Sequence, residues 1–300
     1  MAVYRTAREI DFELHELAPL PRPERVWMAD PAEFDVAYDI NPHMRAEDGT
    51  LKRVDRALAR EQWRALRSEF ERLGLEVRTI PPLAGHPDLV FCANQALPLP
   101  SAATHDGRAR FVRSNMRWPE RRGEVPHVAR ALAAAGLEQL VLETSERLEG
   151  MGDGLWHPGR ALLWAGVGPR SSVEAWSALA RHVTAPVVLL ELIEPAFYHL
   201  DTALALLAED ACLWLPDALS PRSRALVERL VPRRIAADPR EARALLACNA
   251  CCPDGRTVLL QRGCERTSAA LRAAGFTVRE LETSEFLKSG GSVFCMKLLA

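Results

Sequence analysis

A unit of helix, glycine and strand recurs along this chain of 300 residues, and it constrains the fold more than any other feature. In the clearest copy, the amphipathic pattern from Glu61 to Leu73 predicts a helix that ends at Gly74 and precedes a β-rich segment, residues 75–80. A glycine in this position is typical of a helix C-cap. The further copies are residues 125–142 and 265–281, which are strong, and residues 171–192 and 220–236, which are weaker.

Short strand-like segments lie between the helical copies, and their spacing suggests pairs. The predicted pairs are residues 89–96 with 110–112, 154–156 with 161–164, 202–207 with 211–215, and 249–252 with 257–260. Together with the helices they make about five strand–strand–helix–strand units, which favours radial repetition as in a propeller. Periodicity alone leaves an ordinary α/β sandwich open as the alternative.

Composition predicts a globular protein with a single domain, residues 1–300. Hydrophobic residues make up 48% of the chain, enough for a large core, and no low-complexity linker divides it. The formal net charge of −2 gives no reason to expect nucleic acid or an anionic membrane as a partner. Apolar runs such as Ala185 to Leu190 are too short to span a bilayer, and the N-terminus lacks the apolar core of a signal peptide. We therefore expect a cytoplasmic protein, and a homo-oligomer is compatible with the sequence.

The seven cysteines are an odd number without the rhythm of a disulfide framework, which suits a reducing compartment. Cys248 and Cys251 form a C-x-x-C motif, a pattern that can bind metal or carry redox chemistry. No second such motif and no paired histidines stand nearby. We therefore predict no metal site and no cofactor, and we interpret most of these thiols as small buried side chains.

One cysteine, Cys295, stands near the C-terminus just beyond Gly290 and Gly291. Because glycines let a backbone pass close to a ligand, this thiol has the setting of a reachable nucleophile. His199, far upstream, is its candidate partner, since a cysteine and a histidine that meet in space can perform covalent catalysis. The alternative for a lone histidine is a structural residue of the core.

Further polar residues have patterns that suit a site. Glu149 and Asp153 are separated by glycines that would let the backbone turn sharply, although a surface turn has the same composition. Asp201 follows His199 by two residues, so the two side chains would share one face of a strand. Asn94 ends an apolar segment that we predict to be a strand, where an unpaired amide is costly.

Residues 166–172 follow a predicted strand and open a predicted helix, an arrangement suited to holding an anion. Within this turn, Arg170 can bind a carboxylate with its bidentate fork. The alternative is a helix-entry turn with a solvated arginine.

Seven motifs follow one another along the chain. They are Asn41-Pro42-x-Met44, Asp88-Leu89-Val90-Phe91-x-Ala93-Asn94, Glu149-Gly150-x-Gly152-Asp153, Gly166-x-Gly168-x-Arg170-Ser171, Tyr198-His199-Leu200-Asp201-Thr202, Ala247-Cys248-Asn249 and Glu285-Phe286-Leu287-Lys288-x-Gly290-Gly291-x-x-x-Cys295. In this order they resemble the guanidine-modifying (pentein) superfamily, most closely the branch of arginine dihydrolases and dimethylarginine dimethylaminohydrolase-like proteins. The resemblance runs from about residue 26 to the C-terminus and implies a five-bladed α/β propeller with pseudo-fivefold symmetry.

The resemblance implies a hydrolase that acts on the guanidinium group of a small molecule, arginine or an arginine derivative. By this resemblance, Cys295 attacks the guanidinium carbon and forms a covalent intermediate. His199 serves as general acid and base, and Glu149 orients it or balances its charge. Asp201 and Asn94 are expected to bind the guanidinium nitrogens through a carboxylate and an amide oxygen.

The substrate's anionic end is expected at Arg170, with Asn41 and Asp153 also among the substrate-binding residues. The family usually carries a further arginine at the place of Asn115, where it helps to hold the substrate's carboxylate. Either Arg113, two residues earlier, or Arg117 would substitute for it; otherwise the substrate's tail is different.

A second departure from the family is Lys297, which stands where a threonine is typical. Its charge would favour the thiolate of Cys295, or it would point to solvent.

Asn94 favours an arginine dihydrolase, which converts arginine to ornithine, ammonia and CO2. Deiminases and methylarginine hydrolases commonly carry an acid at this position and stop at citrulline. A dimethylarginine dimethylaminohydrolase or an arginine deiminase is therefore the first alternative. An amidinotransferase, which passes the amidino group to an amine, is the second.

Overall fold

The computed structural model describes residues 2–299, and it has the mixed α/β fold that the sequence predicts. Its strands are β1 (Val3–Tyr4), β2 (Arg25–Ala29), β3 (Glu76–Ile80), β4 (Ala96–Leu99), β5 (Arg110–Arg113), β6 (Glu138–Leu140), β7 (Gly154–Trp156), β8 (Leu163–Val167), β9 (Val187–Glu191), β10 (Leu204–Ala208), β11 (Ala211–Trp214), β12 (Arg233–Ala236), β13 (Thr257–Gln261), β14 (Thr277–Leu281) and β15 (Leu298–Leu299). Its helices are α1 (Arg56–Arg72), α2 (Pro119–Arg122), α3 (Glu124–Ala134), α4 (Gly150–Asp153), α5 (Val173–Ala180), α6 (Pro221–Leu230), α7 (Pro239–Leu245), α8 (Glu265–Ala273) and α9 (Ser284–Leu287).

The strands between residues 2 and 299 form five separate sheets. Four sheets share one pattern, in which an antiparallel pair is followed by a parallel strand that is reached through a helix. These sheets are β15-β2-β3, β4-β5-β6, β7-β8-β9 with β1 added beside β9, and β10-β11-β12. In the fifth sheet β13 and β14 are parallel, and an antiparallel bridge from Cys251 to Leu259 stands in place of a third strand. The predicted repeat therefore corresponds to these sheets.

Helix α1 illustrates how the repeated unit forms. The side chain of Asp55 caps the helix by accepting from the backbone N–H groups of its first turn. The buried residues Trp63, Leu66 and Phe70 recur at helical spacing and pack into a core cluster. Gly74, with a φ of 85°, ends the unit in the left-handed conformation that glycine adopts at low cost. The helix begins at Arg56, five residues before the predicted Glu61, directly after its cap Asp55.

Two segments that we predicted as strands are instead 3-10 turns, and both carry site residues. Residues 87–94 form the turns Pro87–Val90 and Cys92–Asn94, and only β4 after them is extended. Residues 200–202 form a turn directly before β10, so His199 and Asp201 do not share a strand face. A short, continuous apolar run does not distinguish a buried strand from another buried segment, which explains the error.

The C-terminal residues pass through the interior of the fold, and the last strand pairs with β2. β15 pairs antiparallel with β2, with Leu298 opposite Trp27, so the C-terminal strand completes the sheet of β2 and β3. Phe294 packs against all three of the larger hydrophobic clusters, which places the adjacent Cys295 among several sheets at once. None of the helices in residues 2–299 is both long enough and apolar enough to cross a membrane.

Candidate active site

Glycines allow three predicted site residues to come together. Glu149 immediately precedes α4, whose Gly150 has a left-handed φ of 50°. A Cβ at Gly150 would lie 2.5 Å from a backbone oxygen of β4. A Cβ at Gly152 would lie 2.4 Å from Nδ2 of Asn94 and 3.1 Å from Cγ of His199. These distances are too short for any other residue, so both glycines are required for the close approach of Asn94 and His199 to this segment.

Glu149 is fully buried and forms the electrostatic centre of the site. Its Oε1 accepts a hydrogen bond of 2.9 Å from the backbone N–H of Arg117. Its Oε2 faces Nη1 of Arg170 at 3.0 Å and Nε2 of His199 at 2.7 Å. Burial raises the pKa of Glu149, but Arg170 and His199 outweigh burial and hold that pKa well below its usual range. Glu149 is therefore a carboxylate at neutral pH.

The charge of Glu149 assigns the tautomer of His199. Because Nε2 faces a carboxylate oxygen, Nε2 carries the proton and Nδ1 holds the lone pair in the neutral ring. Nδ1 is buried and has no hydrogen-bond partner among residues 2–299. A buried polar atom without a partner is costly, so this atom is available to a ligand or to water.

Cys295 is 2% exposed, and two polar side chains contact its sulfur. Nδ2 of Asn249 donates to Sγ at 3.1 Å, and Sγ lies 3.3 Å from Oδ2 of Asp201. Burial and the charge of Asp201 raise the pKa of the thiol well above its ordinary value, so Cys295 is protonated here. The turn that carries Asp201 begins directly after His199. The structure thus brings both members of the predicted cysteine–histidine pair to one site.

Asp201 is ready to receive a hydrogen-bond donor. Burial raises its pKa to about 7, although the hydrogen bond from Cys295 and the charge of Lys297 act in the opposite direction. Its Oδ1 is buried and has no partner within residues 2–299. A cationic ligand beside this oxygen would favour the ionised carboxylate.

Asn249 organises the segment around the nucleophile, and the sequence motifs assign it no role. Its Oδ1 accepts from three backbone N–H groups, those of Ser292, Phe294 and Cys295. Leu246, three residues earlier, has a φ of 51°, which is strained for a bulky residue, and its carbonyl accepts from the backbone N–H of Asn249. A buried amide amid the apolar residues 246–252 is the sequence signal that indicates such a role, since it requires partners.

Asn94 has a donor that is unpaired within residues 2–299, whereas the sequence-based prediction assigns its amide oxygen to the guanidinium. Its Oδ1 accepts from Nη1 of Arg121 at 2.9 Å, while its Nδ2 is buried and has no partner in the described residues. Arg121 is itself held by a buried ion pair of 2.9 Å with Glu124. The amide oxygen therefore points toward Arg121, and the atom of this amide that lacks a partner in that part of the chain is the donor Nδ2. The sequence does not reveal this, because Arg121 lies 27 residues away.

Arg170 is also placed differently from the prediction. It is 2% exposed, its Nη1 binds Glu149, and its Nη2 donates to the carbonyl of Ile40 at 3.2 Å. Its guanidinium lies 4.8 Å from the ring centre of Tyr198. In the structure Arg170 binds the carboxylate of Glu149, whereas the sequence-based prediction gives it the carboxylate of a substrate. Both groups of this ion pair are buried, and each neutralises the charge of the other.

Asp153 stabilises the turn that follows His199 (the histidine turn) through hydrogen bonds. Its Oδ2 accepts from Oγ of Ser171 at 2.6 Å, and its Oδ1 accepts from the backbone N–H of Leu200 at 3.0 Å. Burial raises the pKa of Asp153 to about 6. Both oxygens are occupied by protein donors, so the structure gives Asp153 a positioning role and not the expected contact with substrate.

The remaining predicted substrate-binding residues are Asn41, Asn115, Arg113 and Arg117. Asn41 donates through Nδ2 to the carbonyl of Ser289 at 3.0 Å, which ties its loop to the segment of the nucleophile. Asn115 is exposed, and its amide donates to backbone oxygens of residues 145 and 146. Arg113 and Arg117 are exposed, and Nη1 of Arg117 donates to a backbone oxygen of residue 169. A role of these residues in substrate binding stays a prediction.

Within residues 2–299, no group of three or more His, Cys, Asp or Glu side chains is arranged to hold a metal ion. The C-x-x-C motif consists of buried free thiols. The chemistry that these residues can perform by themselves is acid–base and nucleophilic, centred on Glu149, His199 and Cys295.

Comparison with known proteins identifies relatives of nearly the whole chain. The chain is 38% identical to the N(G),N(G)-dimethylarginine dimethylaminohydrolase of Mycobacterium tuberculosis, over 93% of this chain and 86% of that protein. It is 33% identical to the bifunctional arginine dihydrolase/ornithine cyclodeaminase ArgZ of Synechocystis, over 91% of this chain but only 37% of the longer relative. The substrate-bound crystal structure of the N-terminal domain of the cyanobacterial arginine dihydrolase ArgZ superposes with a TM-score of 0.83 at 32% identity, covering 92% of this chain and 97% of that domain. No family model matches the chain.

Proposed function

The chain belongs to the guanidine-modifying (pentein) superfamily, in the family of the dimethylarginine dimethylaminohydrolases and arginine dihydrolases, and on this premise we propose that it hydrolyses the guanidinium group of arginine or an arginine derivative. It is a hydrolase of C–N bonds in linear amidines, and its substrate is a small molecule. The observation that carries the proposal is a set of buried atoms without partners in the described residues, grouped around a thiol. These atoms are Nδ1 of His199, Oδ1 of Asp201 and Nδ2 of Asn94.

We propose that the five sheets are the blades of a single-domain α/β propeller, residues 1–300. Two findings support this arrangement. Four of the five sheets share one strand order, and the C-terminal β15 completes the sheet of β2 and β3. Glu149, His199 and Cys295 come from three different parts of the sequence, so a central cleft is the natural meeting place for them.

The first step of the proposed reaction is activation of Cys295. A guanidinium that donates an N–H to the free Oδ1 of Asp201 places its positive charge beside the sulfur. That charge lowers the pKa of the buried thiol, and Asp201 or His199 takes the proton. The thiolate sulfur then bonds to the guanidinium carbon. The thiol proton reaches the lone pair on Nδ1 of His199, directly or by way of Asp201, while Glu149 holds the Nε2 proton. Nδ1 then delivers that proton to the departing nitrogen, whose bond to the carbon breaks, and the nitrogen leaves as ammonia.

In the second step the same histidine acts as a base. Nδ1 of His199 removes a proton from water, the oxygen attacks the carbon, and the carbon–sulfur bond breaks to restore the thiol. The product of one such cycle on arginine is citrulline. A second water and a second cycle release another ammonia and CO2 and leave ornithine.

The orientation of Asn94 supports the dihydrolase over the enzymes that stop at citrulline. Its Nδ2 donor matches the carbonyl oxygen of a ureido group or the oxygen of a tetrahedral intermediate, but not a guanidinium, which carries donors only. A carboxylate at this position would repel the ureido oxygen. We therefore propose that Asn94 retains citrulline for the second hydrolysis.

The test is a product analysis by mass spectrometry. Wild-type protein is incubated with arginine, N-methylated arginines and agmatine, with and without glycine, and ammonia, citrulline, ornithine and amidinated glycine are quantified. We expect ornithine and about two ammonia molecules per arginine, as two successive C–N hydrolyses require. Citrulline as the only product would favour the deiminase or the dimethylarginine dimethylaminohydrolase, and amidinated glycine would favour the amidinotransferase.

A matched pair of variants tests the role of Asn94. Asn94→Asp should shift the product from ornithine to citrulline, because the donor is replaced by a carboxylate. Gln139→Glu makes the same chemical change at an exposed position of β6 and should leave the product ratio unchanged. An unchanged ratio in Asn94→Asp would refute the proposed retention of citrulline. A cytoplasmic location and a homo-oligomer stay predictions.

A further inference from the structure

A cavity of about 540 Å³ lies beside the segment of the nucleophile, but Glu149, His199 and Cys295 are not among its lining residues. Its wall is mostly apolar and includes Leu155, Trp156 and Phe294. Four basic side chains line it, those of Arg22, Arg25, Arg110 and Lys297, against the acidic Glu24 and Glu209. Three of these groups are in ion pairs within the described residues, Glu209 with Arg160 at 2.7 Å, Arg25 with Glu76 at 3.0 Å, and Arg110 with Asp106, which leaves Arg22 and Lys297 against Glu24. The cavity thus combines an apolar wall with a positive charge balance.

Lys297 is a residue of this wall whose charged side chain lacks a hydrogen-bond acceptor in the described part of the chain. It is fully buried, and its Nζ has no hydrogen-bond partner among residues 2–299. Its closest favourable contact is the ring of Phe294, whose centre lies 3.1 Å from Nζ. Burial lowers the pKa of Lys297 to about 8, so the ammonium form still dominates at pH 7. A buried ammonium without an acceptor carries a large desolvation cost, which an anion would offset.

Phe294 lines the cavity together with Lys297, and it is also connected to the active site. Phe294 is partly exposed, whereas Lys297 is buried. The backbone N–H of Phe294 and that of Cys295 bind the same oxygen, Oδ1 of Asn249. A ligand that displaces the ring of Phe294 therefore acts on the segment that positions the nucleophile.

We propose that this cavity is a second binding site, which takes a small organic carboxylate. Its apolar body would lie against Leu155 and Trp156, and its carboxylate would replace the ring of Phe294 beside Lys297. A carboxylate suits the site because it supplies the acceptor that Nζ lacks, while the apolar wall favours a hydrocarbon body over a fully hydrated inorganic anion. The proposal does not depend on which guanidine the active site hydrolyses.

The experiment measures binding by calorimetry at pH 7 with two probes, benzoate and hexanoate, and with their neutral amides as controls. We expect at least one carboxylate to bind the wild type about ten- to a hundredfold more tightly than its amide, the range of one charge-assisted contact. Lys297→Met keeps the length and apolar character of the stem and should weaken binding of that carboxylate by a similar factor. Cys295→Ala should bind it as the wild type does, and arginine should not compete with it.

Several results would overturn the proposal. They are binding of neither carboxylate to the wild type, equal binding of acid and amide, equal binding to the wild type and Lys297→Met, loss of binding in Cys295→Ala, and competition with arginine. A second variant decides the question if Lys297→Met does not fold. Ala208→Trp narrows the cavity from a partly exposed position and should also weaken binding, so unchanged affinity in that variant would equally reject the site.

Discussion

Replacement of Arg170 by methionine distinguishes the two roles that this residue could have. If Arg170 holds the substrate's carboxylate, its loss raises KM about ten- to a hundredfold and leaves folding nearly intact. In the structure, however, its Nη1 lies 3.0 Å from Oε2 of Glu149, and both side chains are buried. Arg170→Met then leaves Glu149 as a buried carboxylate whose remaining side-chain partner at Oε2 is His199. We therefore expect an effect on stability and on turnover.

The size of the effect depends on the burial of the pair. Breaking a buried ion pair by removing one partner costs about 3–5 kcal/mol, because the remaining charge is left without compensation. For a chain of this size we expect the melting temperature to fall by roughly 5–8 °C. Release of Glu149 also loosens His199, and a displacement of a catalytic group by about 1 Å can reduce kcat about a hundredfold. We expect a fall in kcat of at least tenfold, with a smaller change in KM.

The assay combines thermal unfolding, chemical denaturation and steady-state ammonia release from arginine. Arg147→Met is the matched control, because Arg147 is exposed and its side chain donates only to the backbone oxygen of residue 169. Its stability should change by no more than about 0.5 kcal/mol. The double variant Arg170→Met/Glu149→Gln should be more stable than Arg170→Met alone, because the unpaired buried charge is gone.

The reasoning is refuted if Arg170→Met keeps the melting temperature and kcat of the wild type and changes only KM. That outcome would restore the substrate-binding role that the sequence predicts. Failure of the double variant to recover stability would show that Glu149 is not the group left uncompensated.

Two further predictions concern the nucleophile and the histidine turn. Cys295→Ala should abolish ammonia release with a small change in melting temperature, whereas Cys251→Ala should retain activity; ammonia release by Cys295→Ala would exclude covalent catalysis at this residue. Burial raises the folded-state pKa of Asp153 to about 6 from 3.8, so the stabilisation by its neutral form is complete at low pH and is lost as pH rises through about 6. Asp153→Asn should therefore gain roughly 1–3 kcal/mol relative to the wild type between pH 4 and pH 7, and denaturation curves that stay parallel over this range would contradict the assignment.

The sequence predicts well whatever depends on neighbouring residues. The helix and glycine of each repeated unit are visible in local periodicity, and α1, α3 and α8 end within a residue or two of the predicted positions. The mixed α/β fold and the family are predicted by the order of the motifs. The strand β15 escaped prediction because two residues carry no periodicity, and it exists only through its pairing with β2.

Contacts between distant residues set the properties that the sequence could not predict. The types of the catalytic residues are visible in the motifs, but their charge states are not. Glu149 is ionised because Arg170 and His199 lie 21 and 50 residues away in sequence and meet it in the interior. A motif that contains Arg170 indicates the chemical group without indicating whether it faces substrate or protein.

The amide of Asn94 is the clearest case of a property that a distant contact decides. A free asparagine can present either its oxygen or its nitrogen, and these two choices favour opposite ligands, a guanidinium or a ureido oxygen. The hydrogen bond from Arg121 removes the choice, because arginine can only donate and therefore binds the amide oxygen. Glu124 in turn fixes the position of Arg121. A buried ion pair outside the catalytic group thus determines which end of Asn94 faces the site, and through it the product that we expect.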